Sequence, residues 1–380
     1  MMKLTAVTRL VALAILAAAL SPVLLIMPGS APAAAQEEKV LNVFNWSDYV
    51  APDTIANFEK ETGIKVNYDV YDSNDILETK ISVGKSGYDV VFPSASPFFA
   101  RQVKAGYYRK LDLAKIPNAK GVDPKVLERL ATADPGNAQG TIHGLPYMMA
   151  GTGIGYIKKK IDTLLPNAPI GSFAMLFDPA VAKALRPCGI TVLDAPEEVL
   201  PAAMSFAGKS PLSVSTEDLD AAGKIASAVR PYWRYIHSSS YINDLANGEI
   251  CVAQGYAGDL FQARKRAQEA KNGVEIGIFL PKEGAAFNID VMAIPKDAPH
   301  PDNAHKFINY LLTPKVVADI TAAVGYANAV PDSLQFVPAD IRNDPVVFPP
   351  ADAKLYTPVL AAQPYERARN RLWTRIKAGK

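Results

Sequence analysis

The chain has 380 residues, 49% hydrophobic and 21% charged, which is long enough for two domains or lobes. Lys and Arg number 40 against 38 Asp and Glu; setting aside Lys3 and Arg9, which precede Ala35 where no acid occurs, leaves 40 − 2 = 38 against 38. That balance argues against nucleic acid as a partner, because a phosphate binder needs a basic surplus.

Lys3 and Arg9 form a basic start, Leu10 to Met27 is almost wholly apolar, and Ala33-Ala34-Ala35 supplies small residues for cleavage. This pattern predicts a secretory signal peptide over residues 1–35, cleaved near Ala35, and export to the periplasm. An uncleaved anchor is the other reading, since 18 apolar residues are near the lower limit for a span. Residues 40–44 read as a buried strand, followed by a helix from Pro52-Asp53 to Gly63. Residues 64–71 alternate as a strand, 74–82 as a helix and 88–92 as a short strand ending at Pro93-Ser94. A helix follows from Ser96 to Ala105. Gly151-Thr152-Gly153-Ile154-Gly155 reads as a strand crossing into a second lobe. Its G-x-G-x-G spacing, followed by three lysines, does not fit a nucleotide loop. Beyond it come a helix over 174–185, a strand over 189–193, and a helix opened by Pro196 with Asp194 as its cap. Helices over 216–229 and 241–247, a strand over 250–253 and a charged helix over 260–271 come next. Strands over 274–280 and 286–294 precede helices over 305–312, 316–324 and 365–377, the last basic through Arg367, Arg369, Arg371, Arg375 and Lys377. Repeating strand–helix units predict an α/β fold with mainly parallel strands.

Two cysteines, Cys188 and Cys251, are an even pair in a chain expected to be exported. They fit either a disulfide or two buried thiols. His143, His237, His300 and His305 are scattered and give no metal motif, so neither a metal nor a cofactor is expected. Four carboxylates fall where an α/β sheet presents ligands, at strand ends: Asp48, Glu198, Asp259 and Asp290. Trp46, Tyr49, Tyr256 and Tyr326 share their loops. Singly, each acid also fits a cap, a helix-dipole partner or a half-exposed strand position, and Asn45-Trp46-Ser47-Asp48-Tyr49 by itself fits a turn. Together, carboxylates with aromatic plates suit a small organic cation. Ser82-Val83-Gly84-Lys85 matches S-x-x-K but sits at a helix end, which does not suit a nucleophile.

The run from Val43-Phe44-Asn45-Trp46-Ser47-Asp48-Tyr49 through Gly63-Ile64-Lys65-Val66 resembles the periplasmic polyamine-binding receptors of bacterial ABC transporters, putrescine receptors in particular. So do Pro93-Ser94-Ala95-Ser96, Leu193-Asp194-Ala195-Pro196-Glu197-Glu198-Val199, Tyr241-Ile242-Asn243-Asp244-Leu245-Ala246-Asn247-Gly248 and Tyr326-Ala327-Asn328-Ala329. The blocks span nearly the whole chain in order. The resemblance implies a two-lobed periplasmic binding fold of type II, each lobe a mainly parallel sheet flanked by helices, with the ligand in the interlobe cleft. The lobes are expected over 36–147 with 266–315, and over 148–265 with 316–380. It implies a monomeric, non-enzymatic receptor for putrescine or a related polyamine that serves an ABC permease. Trp46 and Tyr256 would flank the methylene chain. Ser47, Asp48 and Asp290 would hold one ammonium, and Glu198 and Asp259 the other. Tyr49, Ser94, Ser96 and Tyr326 would line the cleft, and Cys188–Cys251 would match the family's disulfide.

The chain departs from the putrescine-receptor pattern at Tyr256, where a Trp is expected, at Asn288, where a Phe is expected, and at Pro97, which reads as an insertion. These changes make the slot more polar and roomier. Spermidine or another cationic solute, such as a cationic amino acid or an opine-like compound, therefore stays open as ligand. A secreted hydrolase using two of the carboxylates is a distant alternative.

Overall fold

The computed structural model describes residues 37–134, 142–350 and 352–379. The expected signal peptide and its cleavage site lie outside the described residues. The strands in chain order are β1 (Val40–Trp46), β2 (Lys65–Tyr71), β3 (Val90–Val91), β4 (Gly144–Ile157), β5 (Ile190–Val192), β6 (Trp233–Ile236), β7 (Val252–Tyr256), β8 (Ile276–Phe279), β9 (Ala285–Ala293), β10 (Ala327–Asn328) and β11 (Leu355–Tyr356). The main sheet runs in the order β2-β1-β3-β9-β4-β7-β5-β6. At each end the pairing is parallel: β1 with β2 and β3, and β5 with β6 and β7. In the middle it is antiparallel, with β9 against β3 and β4, and β4 against β7 and β8. The fold is thus the expected two-lobed α/β architecture, with the two parallel sheets joined through β4 and β9.

Apolar side chains collect in two large clusters. The first draws on residues from Leu41 to Met148 and from Ile289 to Val330, including Phe58, Phe92, Tyr147 and Phe307. The second draws on Ile154 to Ile276 and on Leu372, Trp373 and Ile376 of the last helix, Gln363–Lys377. β4 feeds both, giving Leu145, Tyr147 and Met148 to the first and Ile154 and Ile157 to the second. Three of its four glycines, Gly151, Gly153 and Gly155, lie in the stretch where the strand passes between them.

Some local expectations need correction. The helix expected over 174–185 is two short ones, Ala174–Phe177 and Pro179–Leu185, because the Asp178 side chain caps the second through the Ala180 and Val181 N–H groups. Asp194 does not cap the helix Pro196–Phe206. Its carboxylate instead accepts from Trp373 Nε1 at 2.7 Å and from Lys377 Nζ at 2.9 Å, tying the C-terminal helix to the end of β5. The segment Ala95–Phe99 is a kinked π-type turn that leads into the helix Ala100–Lys104. The helix Pro124–Ala131 and strand β6 had no counterpart in the sequence reading.

Cys188 and Cys251 form a disulfide with Cα atoms 5.4 Å apart across 63 residues. It pins Cys188, two residues ahead of β5, to Cys251, the residue ahead of β7, its parallel neighbour. Closing a loop of that length stabilises the fold by about 4 kcal/mol in the chain-entropy account.

Candidate functional site

β1 is buried along most of its length and ends at Trp46, and the chain then turns through Asp48, which adopts a left-handed conformation at φ 54°. The turn swings Tyr49 back into the interior, where it is almost fully buried. Tyr49 meets Tyr147 and Tyr326 edge to face, with ring centroids 5.3 and 4.9 Å away. Trp46 leans on Tyr71 at 4.7 Å, and its Nε1 donates to the Phe92 carbonyl at 2.8 Å. The indole is therefore held by a ring contact and a hydrogen bond where it lines a cavity.

The cavity lies where β1, β7, β9 and the helix Pro196–Phe206 converge. Trp46, Ser47, Tyr49, Ser94, Ser96, Glu198, Tyr256, Asp259, Asn288, Asp290 and Tyr326 line it, so the structure brings these expected residues together. Asp48 is the exception. The left-handed turn sends its carboxylate away from the cavity, half exposed, to pair with Arg266 at 3.2 Å.

Three carboxylates face the cavity, Asp290 and Glu198 buried and Asp259 partly buried, and each is held by two neutral donors. Asp290 accepts from Tyr49 Oη at 2.6 Å and from Ser94 Oγ at 2.7 Å. Ser94 is set in turn by Asn74, whose Oδ1 accepts the Ser94 N–H at 3.0 Å. Asp259, in the first turn of the helix Ala257–Ala270, accepts from Tyr241 and Tyr326 hydroxyls, both at 2.7 Å. Glu198, in the first turn of the helix Pro196–Phe206, accepts from Thr152 Oγ1 at 2.7 Å and from Asn288 Nδ2 at 3.1 Å.

No Lys, Arg or His is among the described residues lining the cavity. Burial therefore dominates the titration of these acids. It pushes Glu198 up to about 8, and Asp259 and Asp290 up to about 6, against the opposing pull of their hydrogen bonds. Glu197 also reaches the cavity, and desolvation pushes it up to about 7. The phenols of Tyr49, Tyr241 and Tyr326 are raised well above their ordinary value, by burial first and by the neighbouring carboxylates, so they stay protonated donors.

Several lining residues escaped the sequence reading: Tyr71, Asn74, Phe98, Glu197, Ser239 and Ile242. Glu197 had a signal, since two adjacent acids in a helix's first turn can both reach a cleft. Ser239 belongs to the Ser238-Ser239-Ser240 run, which reads as an ordinary loop. The arrangement can hold a cationic group by charge and hydrogen bonds, while Trp46, Tyr256 and the other rings cover apolar parts of the same molecule.

A family model described as bacterial extracellular solute-binding protein matches residues 53–349. The putrescine-binding periplasmic protein PotF of Escherichia coli (strain K12) is 49% identical over 350 residues, covering 91% of this chain and 93% of that protein. The putrescine-binding periplasmic protein SpuD of Pseudomonas aeruginosa (strain UCBPP-PA14) is 48% identical over 352 residues, covering 92% and 94%. A solved structure titled as a putative spermidine/putrescine ABC transporter from Listeria monocytogenes superposes with a TM-score of 0.78 at 27% identity, covering 90% of this chain and all of that one.

Proposed function

The chain belongs to the bacterial extracellular solute-binding protein family, and on that premise we propose that it is a periplasmic receptor that binds putrescine or a related polyamine and delivers it to the permease of an ABC transporter. It is a receptor rather than an enzyme. The observation that carries the reading is the set of three carboxylates, Glu198 and Asp290 buried and Asp259 partly buried, in a cavity with aromatic walls and no protein cation among its described lining residues. Buried charges need partners, and a protonated polyamine brings them. Names given to the relatives agree with this chemistry.

In this reading Trp46 and Tyr256 flank the methylene chain, Asp290 with Ser47 and Ser94 takes one ammonium, and Glu198 and Asp259 take the other. The two apolar clusters support a lobe division in which β4 is shared, 37–134, 142–148 and 285–330 form the first lobe, and 149–284 with the C-terminal helix Gln363–Lys377 form the second, while Val337, Ile341 and Val347 pack with Phe261 and Ala318 in a small third cluster. Relative to the sequence expectation, 266–284 passes to the second lobe and 316–330 to the first. The lobes close over the bound cation, and the closed form docks on the permease. A cationic amino acid is disfavoured as ligand, because no Arg lines the described cavity to take its carboxylate.

A thermal-shift panel of putrescine, cadaverine, spermidine, spermine, arginine and lysine tests the reading. Stabilisation by polyamines alone is expected, and stabilisation by amino acids alone overturns it. Asp259→Asn is expected to weaken putrescine binding at least tenfold (~1.4 kcal/mol), because a buried ammonium loses its ionic partner. Unchanged affinity by calorimetry would remove Asp259 from the site.

A further inference from the structure

Resting on the polyamine reading above, we infer that Tyr241 is a positioning residue that couples the charged end of the slot to its aromatic wall through one phenol. Tyr241 does not line the cavity and is fully buried behind it. Its hydroxyl oxygen accepts the Tyr256 N–H at 3.0 Å, and its proton goes to Asp259 Oδ2 at 2.7 Å. An N–H can only donate, so the phenol oxygen must accept there and must spend its single proton on the carboxylate. The relay from amide to hydroxyl to carboxylate has one direction, and its bonds polarise one another. The backbone of the wall residue Tyr256 and the anion of Asp259 are thereby set by the same atom.

Glycines make this possible. A Cβ at Gly255 would stand 2.4 Å from the Tyr241 ring, so only glycine lets the ring lie under β7. A Cβ at Gly258 would stand 2.1 Å from the Tyr326 ring, whose hydroxyl donates to the other oxygen, Asp259 Oδ1. Each carboxylate oxygen therefore takes one phenol and keeps a lone pair for a ligand N–H. Tyr326 also touches the cavity; Tyr241 acts only through its neighbours. The other titratable groups that act on Asp259 are Asp48 and Arg266, and its charge in turn acts on Tyr256 and Tyr49.

Both phenols favour the ionised carboxylate against the cost of burial. Removing one raises the pH at which Asp259 loses its proton, and the ligand needs it ionised. Putrescine affinity of the purified protein is measured by calorimetry between pH 5.5 and 8.5 for the wild type, Tyr241→Phe and Gly255→Ala. Near pH 6, Tyr241→Phe is expected to bind about tenfold more weakly, with the deficit shrinking to about threefold by pH 8.5. Gly255→Ala keeps the hydroxyl but pushes the ring aside, and is expected to show the same pH-dependent deficit. It carries the comparison where Tyr241→Phe folds poorly. A deficit of equal size at every pH, or none, overturns the inference. Absence of polyamine binding by the wild type would instead overturn the receptor reading on which it rests.

Discussion

Glu198→Gln keeps the shape of a cavity side chain and removes its charge. Burial holds Glu198 at about 8, so at pH 7 the empty slot keeps it about nine-tenths protonated. An ammonium requires the carboxylate form, so binding at pH 7 expels that proton at a cost of about 1.4 kcal/mol, or tenfold in affinity. At pH 8.5 most of the group is already ionised and the cost falls to about 0.2 kcal/mol. The sign follows from burial: the charged form is the disfavoured one, and raising the pH relieves it. A charge-assisted contact contributes about 1.5–3 kcal/mol once made. Glu198→Gln is therefore expected to bind putrescine about tenfold more weakly than wild type at pH 7 and approaching a hundredfold at pH 8.5. Calorimetry in buffers of different ionisation enthalpy supplies a second readout: the number of protons released at pH 7 drops by nearly one in the variant. A wild-type to variant ratio that is constant across this pH range, with unchanged proton release, refutes the reasoning.

Asp48→Asn tests the residue that the turn sends outward. An exposed pair with Arg266 contributes little, so putrescine affinity is expected to change less than about threefold, and less still in high salt. A tenfold loss would return Asp48 to the ligand. Replacing Cys188 and Cys251 together by Ser is expected to lower unfolding free energy by about 4 kcal/mol in urea titrations, and a loss below about 1 kcal/mol contradicts the loop-closure account. Asn288→Phe removes the donor to Glu198 Oε1 and covers methylenes with a ring. The putrescine-to-spermidine affinity ratio is expected to rise about fivefold, and an unmoved ratio excludes position 288 as a selector.

Asp290 lies within β9, whose neighbours β3 and β4 are antiparallel, but Glu198 and Asp259 were legible because each opens a helix just after a strand with a parallel partner, where an α/β sheet presents ligands. Asp48 stood at such a place too. What sent it elsewhere is its own φ of 54°, a backbone choice that no neighbouring residue type announces. Tyr241 opened a helix in the sequence without a site role of its own, since its hydrogen bonds reach residues 15 and 18 positions away. Local pattern cannot express partners at that distance. Pro179 was visible, yet the break it marks depends on Asp178 turning back to cap the second piece. Periodicity located the helices 74–82, 216–229 and 241–247 to the residue because caps and apolar spacing agree there, as at Gly248, left-handed at φ 81°.

β4 and β9 pass through the middle of the sheet, and they also carry site groups: Thr152 on one, Asn288 and Asp290 on the other. On the lobe closure proposed above, a cation resting on Asp290 would meet the Glu198 and Asp259 end only as the second cluster approaches the first, so the length of the molecule would set the angle between the two halves, a quantity that a permease spanning both could read without touching the ligand.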